Sequence, residues 1–89
     1  MSRTRTKALK AKTIARVTYR GFTRYWCFGK RFVDKVYDQT FVDGKNVIER
    51  NEEVEWTFDN MDREELESAC KRDGYWLCWF DKMPPSFNA

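Results

Sequence analysis

With 89 residues, the chain is sized for one domain. Its aromatics (Phe 7, Tyr 4, Trp 4) beside 35% charged residues exclude the aromatic-poor, highly charged composition of a disordered chain. The absence of histidine excludes Ser-His-Asp and Cys-His nucleophile arrangements and removes the commonest metal ligand.

Residues 1–12 (MSRTRTKALKAK) read as a polar, basic arm, with only Ala8, Leu9 and Ala11 apolar after Met1, expected to be disordered or loosely helical when free. Residues 13–19 alternate, with Ala15, Val17 and Tyr19 on one face, and read as a strand. Arg20-Gly21 breaks the run. The alternation then resumes from Phe22 to Phe28, with Phe22, Arg24, Trp26 and Phe28 on one face and Thr23, Tyr25 and Cys27 on the other. The two runs predict a β-hairpin.

Residues 32–42 are β-rich and end at Asp43-Gly44, a strong turn signal because both central positions of a type I′ turn need positive φ. A further strand follows, interrupted near Arg50 and Asn51. It is expected to resume with Val54, Trp56 and Phe58 on a buried face and Glu53, Glu55 and Thr57 on an exposed one.

The period then changes. Asp62-x-x-Glu65 fits a capping box, and Met61 and Leu66 occupy the positions of a hydrophobic staple. Glu64, Glu65 and Glu67 sit in the N-terminal turns, Lys71 and Arg72 in the last turn, and Gly74 just beyond; a helix over 63–73 is predicted. Residues 75–80 (YWLCWF) read as a strand buried on both faces and hence central in the sheet. Pro84-Pro85 lies in a tail over 83–89.

The expectation is therefore an α+β fold. An antiparallel sheet of four or five strands, in ββββαβ order, carries one helix packed on one face. The single domain covers 13–82, between the arm and the tail.

Chemistry-bearing patterns are sparse. Cys27, Cys70 and Cys78 are odd in number and lack CxxC spacing, which points to free thiols, a reducing compartment and a cytoplasmic location. Cys27 lies among Arg24, Lys30 and Arg31, cations that would lower a thiol pKa if they faced it; a packed strand cysteine is the simpler reading. Asp43-Gly44-Lys45, with Asp34 or Asp38, has the acid-x-Lys form of some metal-dependent nucleases, yet hairpin turn chemistry explains the Asp-Gly pair better. No GxGxxG or GxxxxGK[ST] loop is present, and no RRM, KH, zinc-finger or helix-turn-helix motif. No catalytic residue, cofactor or metal is predicted, and no apolar run reaches the ~20 residues of a membrane span.

Charge carries the functional signal. Residues 1–35 hold eleven Lys/Arg against one acid, Asp34; residues 36–89 hold six against thirteen. Such asymmetry points to a polyanion partner, unless the acidic half neutralises the basic half within the fold. Cations interleaved with aromatics suit phosphate neutralisation and base stacking. The candidate nucleic-acid-binding residues are Arg3, Arg5, Lys7, Lys10, Lys12, Arg16, Arg20, Arg24, Tyr25, Trp26, Lys30 and Arg31. If the Arg24 face is buried, Arg24 needs a carboxylate partner and its role is structural. Core packing is expected for Phe22 and Phe28, whereas Trp26 stays open to either role.

The leading expectation is a small, non-catalytic protein that binds nucleic acid, DNA or RNA, through the arm and first hairpin. The alternative is a protein-interaction module, such as an inhibitor or regulator of a host protein encoded by a virus or mobile element. It would dock through Glu49, Glu52, Glu53, Glu55, Glu64 and Glu67, or through exposed Trp56 or Trp76. Complementarity between basic and acidic halves also allows a homodimer.

Overall fold

The computed structural model describes residues 13–81. Two tight turns organise the sheet. Arg20-Gly21 (φ 50° and 80°) joins β1 (Ile14–Tyr19) to β2 (Phe22–Phe28), and Asp43-Gly44 (φ 51° and 76°) joins β3 (Val33–Val42) to β4 (Lys45–Arg50). Positive φ at both central positions matches the right-handed twist of the flanking strands. These turns pair Tyr19 with Phe22 and Val42 with Lys45, which sets both hairpin registers.

The five-stranded antiparallel sheet has the order β4-β3-β2-β1-β5. β5 (Trp76–Phe80) pairs with β1. The α+β antiparallel architecture is as the sequence predicts, but β5 is not central: among the described residues it is an edge strand, with Trp76 and Cys78 exposed. A continuous apolar run indicates burial on both faces only when other strands flank it, and here one flank is open.

The helix over 63–73 forms as predicted (α2, Arg63–Asp73). Asp62 accepts from the Glu65 N–H, Glu65 accepts from the Asp62 N–H, and Gly74 closes the helix in the left-handed region. The Val33 N–H donates to the Met61 carbonyl, tying the start of α2 to the start of β3.

A further helix, α1 (Glu52–Thr57), stands where a strand over 53–58 was expected. Asn51 caps it by accepting from the Val54 N–H, and Glu52 and Glu53 fill its first turn, favourably placed for the helix dipole. Val54 and Phe58 are four apart, so a helix groups them as readily as a strand does, but it turns Trp56 outward. Trp56 is 80% exposed. The docking of α1 answers a backbone need: β4 ends at Arg50, leaving Val36 of β3 without a strand neighbour on that side. The Asn51 N–H donates to the Val36 carbonyl and the Glu55 carboxylate accepts from the Val36 N–H.

The core lies between the sheet and α2. Ala15, Val17, Trp26, Phe28, Val33 and Val36 pack against Leu66 and Cys70, with Val54, Met61, Leu77 and Trp79 at the margin. Val33 and Val36 share this face although three apart, because a bulge shifts the register from Cys27–Lys35 to Phe28–Val33. Phe22, expected in the core, is 41% exposed beside the β1–β2 turn, whereas Trp26 is buried at the sheet centre. Position along the strand decides this: Trp26 pairs with Ala15 and Val36, both fully buried.

Candidate nucleic-acid interface

Directly paired residues of an antiparallel ladder share a face, so the registers lay out the side of the sheet that no described helix covers. Its central row runs Cys78, Arg16, Tyr25, Tyr37, Arg50 across all five strands. On one side lies the row Phe80, Ile14, Cys27, Lys35; on the other, Trp76, Thr18, Thr23, Gln39, Ile48. Phe41 and Asn46 complete it toward the β3–β4 turn. None of these paired positions is acidic, and three are cationic: Arg16, Lys35 and Arg50; two carboxylates beside the ladder, Asp34 in the β3 bulge and Glu55 of α1, act on Cys27 of this face. The ladder carboxylates Asp38 and Glu49 pair with each other across β3 and β4 on the opposite face.

Within the helix-free face, the Arg16 guanidinium stacks 5.0 Å from the Phe80 ring centroid. Tyr25 is only 2% exposed and donates its hydroxyl to Gln39 Oε1 at 3.2 Å. Arg50 forms a bidentate pair with Glu55 at 2.8 and 2.9 Å on the rim, where α1 meets the sheet. Trp76 (78% exposed) and Phe41 (72%) are the most open aromatic surfaces on this face.

The predicted site residues are therefore separated. Arg3, Arg5, Lys7, Lys10 and Lys12 lie outside the described residues. Arg20 sits at the β1–β2 turn over the Tyr19 ring, while Lys30 and Arg31 sit at the β2–β3 loop, with Arg31 over Phe32. The seven residues of β2 put these two ends on the order of 20 Å apart. Arg24 points to the helix side and is paired with Asp38, the structural outcome anticipated for a buried Arg24 face. Trp26 belongs to the core and Tyr25 is enclosed, so neither presents an open ring. Only Arg16 of the strand residues in the predicted set lies on the helix-free face with part of its side chain exposed. Among the described residues, Arg16, Arg20, Lys30, Arg31 and Lys35 have no ion pair.

Lys35, Arg50, Phe41 and Phe80 were missed, whereas Trp76, named in the sequence only as an exposed aromatic for a protein partner, is exposed as expected. The hairpin turns carried part of the signal: with Arg20-Gly21 and Asp43-Gly44 as two-residue turns, Arg16 must oppose Tyr25 and Arg50 must oppose Tyr37. The β2–β3 register, shifted by the bulge, and the placement of β5 beside β1 had no such local marker.

Two of the three thiols, Cys27 and Cys70, are poor nucleophiles here. Burial pushes Cys27 up to about 11 despite the nearby Lys35 charge, so the cations clustered around it in sequence do not activate it. Burial also raises Cys70. Among the described residues, no group of three His, Cys, Asp or Glu side chains is placed to hold a metal, and no helix is long and apolar enough to cross a membrane.

On the helix side, a groove of about 350 Å³ opens between the C-terminal half of α2 and the upper sheet. Tyr19, Phe22, Phe58 and Tyr75 rim it, each 37–41% exposed, over a floor that includes Val17 and Trp26. Comparison with protein-family models, curated proteins and solved structures finds no match.

Proposed function

We propose that this chain is a non-catalytic binding module that holds single-stranded nucleic acid on the helix-free face of its sheet. The observation that carries the reading is the composition of that face: Arg16 and Lys35 without an ion pair among the described residues, no acid at any directly paired position, and exposed Trp76 and Phe41. Cations on such a face neutralise phosphates, and open rings stack on unpaired bases. A broad sheet suits splayed single strands better than a duplex groove, which admits a helix or a two-stranded ribbon. The arm cations Arg3, Arg5, Lys7, Lys10 and Lys12 would add sequence-independent phosphate contacts.

The test is fluorescence anisotropy of labelled single-stranded DNA and RNA, titrated at two salt concentrations. Binding should weaken with salt, with a slope of about 0.7 per phosphate contact. The double variant Arg16→Gln, Lys35→Gln should lower that slope by about 1.4. Absence of binding at low salt would remove the reading.

A protein partner is the second reading, and the aromatic-rimmed groove favours it. An apolar anchor seated between Phe22 and Tyr75 would fill the groove, so Phe22→Ser would abolish partner binding while leaving oligonucleotide binding intact.

A further inference from the structure

The edges of a sheet expose unpaired backbone groups, and natural proteins guard them with charge, proline, bulges or a covering element. The β4 edge is guarded: it carries Lys45, Glu49 and Arg50, and α1 takes over beside Val36 where β4 stops. The β5 edge has no such protection among the described residues. Its sequence, Trp76-Leu77-Cys78-Trp79-Phe80, is the only one of the five strands without a charged residue. It contains no proline and its register with β1 is regular. Cys78 is exposed, and Trp76 is among the most exposed large side chains described.

We propose that β5 pairs with β5 of a second copy of this chain, antiparallel, about a two-fold axis through Cys78. The strand is self-complementary in that register. Trp76 would lie opposite Phe80 of the partner subunit on the helix-free face, and Leu77 opposite Trp79 of the partner subunit on the helix side. Each pairing occurs twice, and each joins apolar groups, which stabilises an antiparallel pair. Because no charge in the strand opposes a like charge, nothing in this register repels a copy. An isologous contact also closes at two subunits, and the guarded β4 edge gives no route to a growing fibre. The two five-stranded sheets would become one continuous sheet with both helix layers on the same side. A five-residue edge buries an area at the small end of stable interfaces, so the dimer should be reversible and concentration-dependent.

Cys78 reports the register, since residues directly opposed on antiparallel strands have Cα atoms about 4.5–5.5 Å apart, within disulfide range. Mild oxidation of the full chain should give a covalent dimer that persists in Cys27→Ser and vanishes in Cys78→Ser. Sedimentation equilibrium of the reduced chain should show a monomer–dimer equilibrium. Cys78→Lys, which opposes two like charges at the axis, should weaken that equilibrium by up to about fivefold while circular dichroism stays unchanged. A reduced chain that stays monomeric at every concentration overturns the proposal. So does a dimer that Cys78→Lys leaves unaltered, or an oxidative cross-link that does not need Cys78.

Discussion

Arg24 and Asp38 oppose each other across the β2–β3 ladder, and their side chains close that register as a bidentate ion pair, with Arg24 Nη2 3.1 Å from Asp38 Oδ2. Asn51, the cap of α1, donates to the same carboxylate at 2.7 Å. One carboxylate thus links the first hairpin, the second hairpin and the helix that follows it. The guanidinium also lies over Phe22 and Trp26, 5.2 and 5.7 Å from their ring centroids. Asp38→Ala should therefore cost about 1.5–3 kcal/mol, the range for hydrogen bonds to a charged group. Urea unfolding measures it; a loss below a few tenths would show that the pair is dispensable.

Acid should weaken the fold. Burial alone would raise the Asp38 carboxyl, but the Arg24 and Asn51 hydrogen bonds and the Arg24 charge outweigh it and hold the group below its ordinary value. The Arg50 hydrogen bond lowers Glu55, helped by the Val36 N–H and opposed by burial. Carboxyls depressed in the native state contribute stability that is complete above their unfolded pKa, near ~4, and is lost as pH falls through the native values. The urea midpoint should hold between neutrality and the upper end of that range, then fall. Asp38→Asn should flatten the acid limb; an unchanged limb would contradict the assignment.

Trp56 separates the helix α1 from the strand that alternation suggested. A strand with Val54, Trp56 and Phe58 inward would make Trp56→Ala cost about 3–5 kcal/mol. On α1 the ring is exposed, and the substitution should stay within about 0.5 kcal/mol of wild type. Leu66→Ala, in the core, should cost about 2–5 kcal/mol in the same denaturant series.

The cap of α2 provides a local test. Asp62→Ala removes the acceptor for the Glu65 N–H and should cost about 1 kcal/mol. Its effect should show in the thermal midpoint, with the hairpin amide chemical shifts unchanged.

Local chemistry was legible in the residues. Asp43-Gly44 and Arg20-Gly21 announced their turns, and Asp62 to Gly74 spelled out a helix with both caps. What failed depended on neighbours far along the chain. Residues 53–58 satisfied two periods at once, and the choice rested on Asn51 capping and on the unpaired Val36 backbone. The apolar run of β5 could not reveal that it has a neighbour on one flank only. At the candidate site, clustering in sequence misled: Arg20, Arg24 and Lys30 go to a turn, an ion pair and the opposite loop, while Lys35 and Arg50 arrive on the face of Arg16 through strand pairing.

The four tryptophans make the proposed binding face directly testable, because each indole N–H occupies a different place. Trp76 lies on the helix-free face, Trp26 in the core and Trp56 on the outside of α1, while Trp79 donates to Glu67 of α2 at 3.1 Å. A two-dimensional ¹⁵N NMR titration of the full chain with a single-stranded oligonucleotide at low salt reads all four at once. If nucleic acid lies on the helix-free face, the Trp76 indole signal moves and the Trp56 signal stays in place. A shift at Trp56 with Trp76 unmoved, or no shift at any indole, would contradict it.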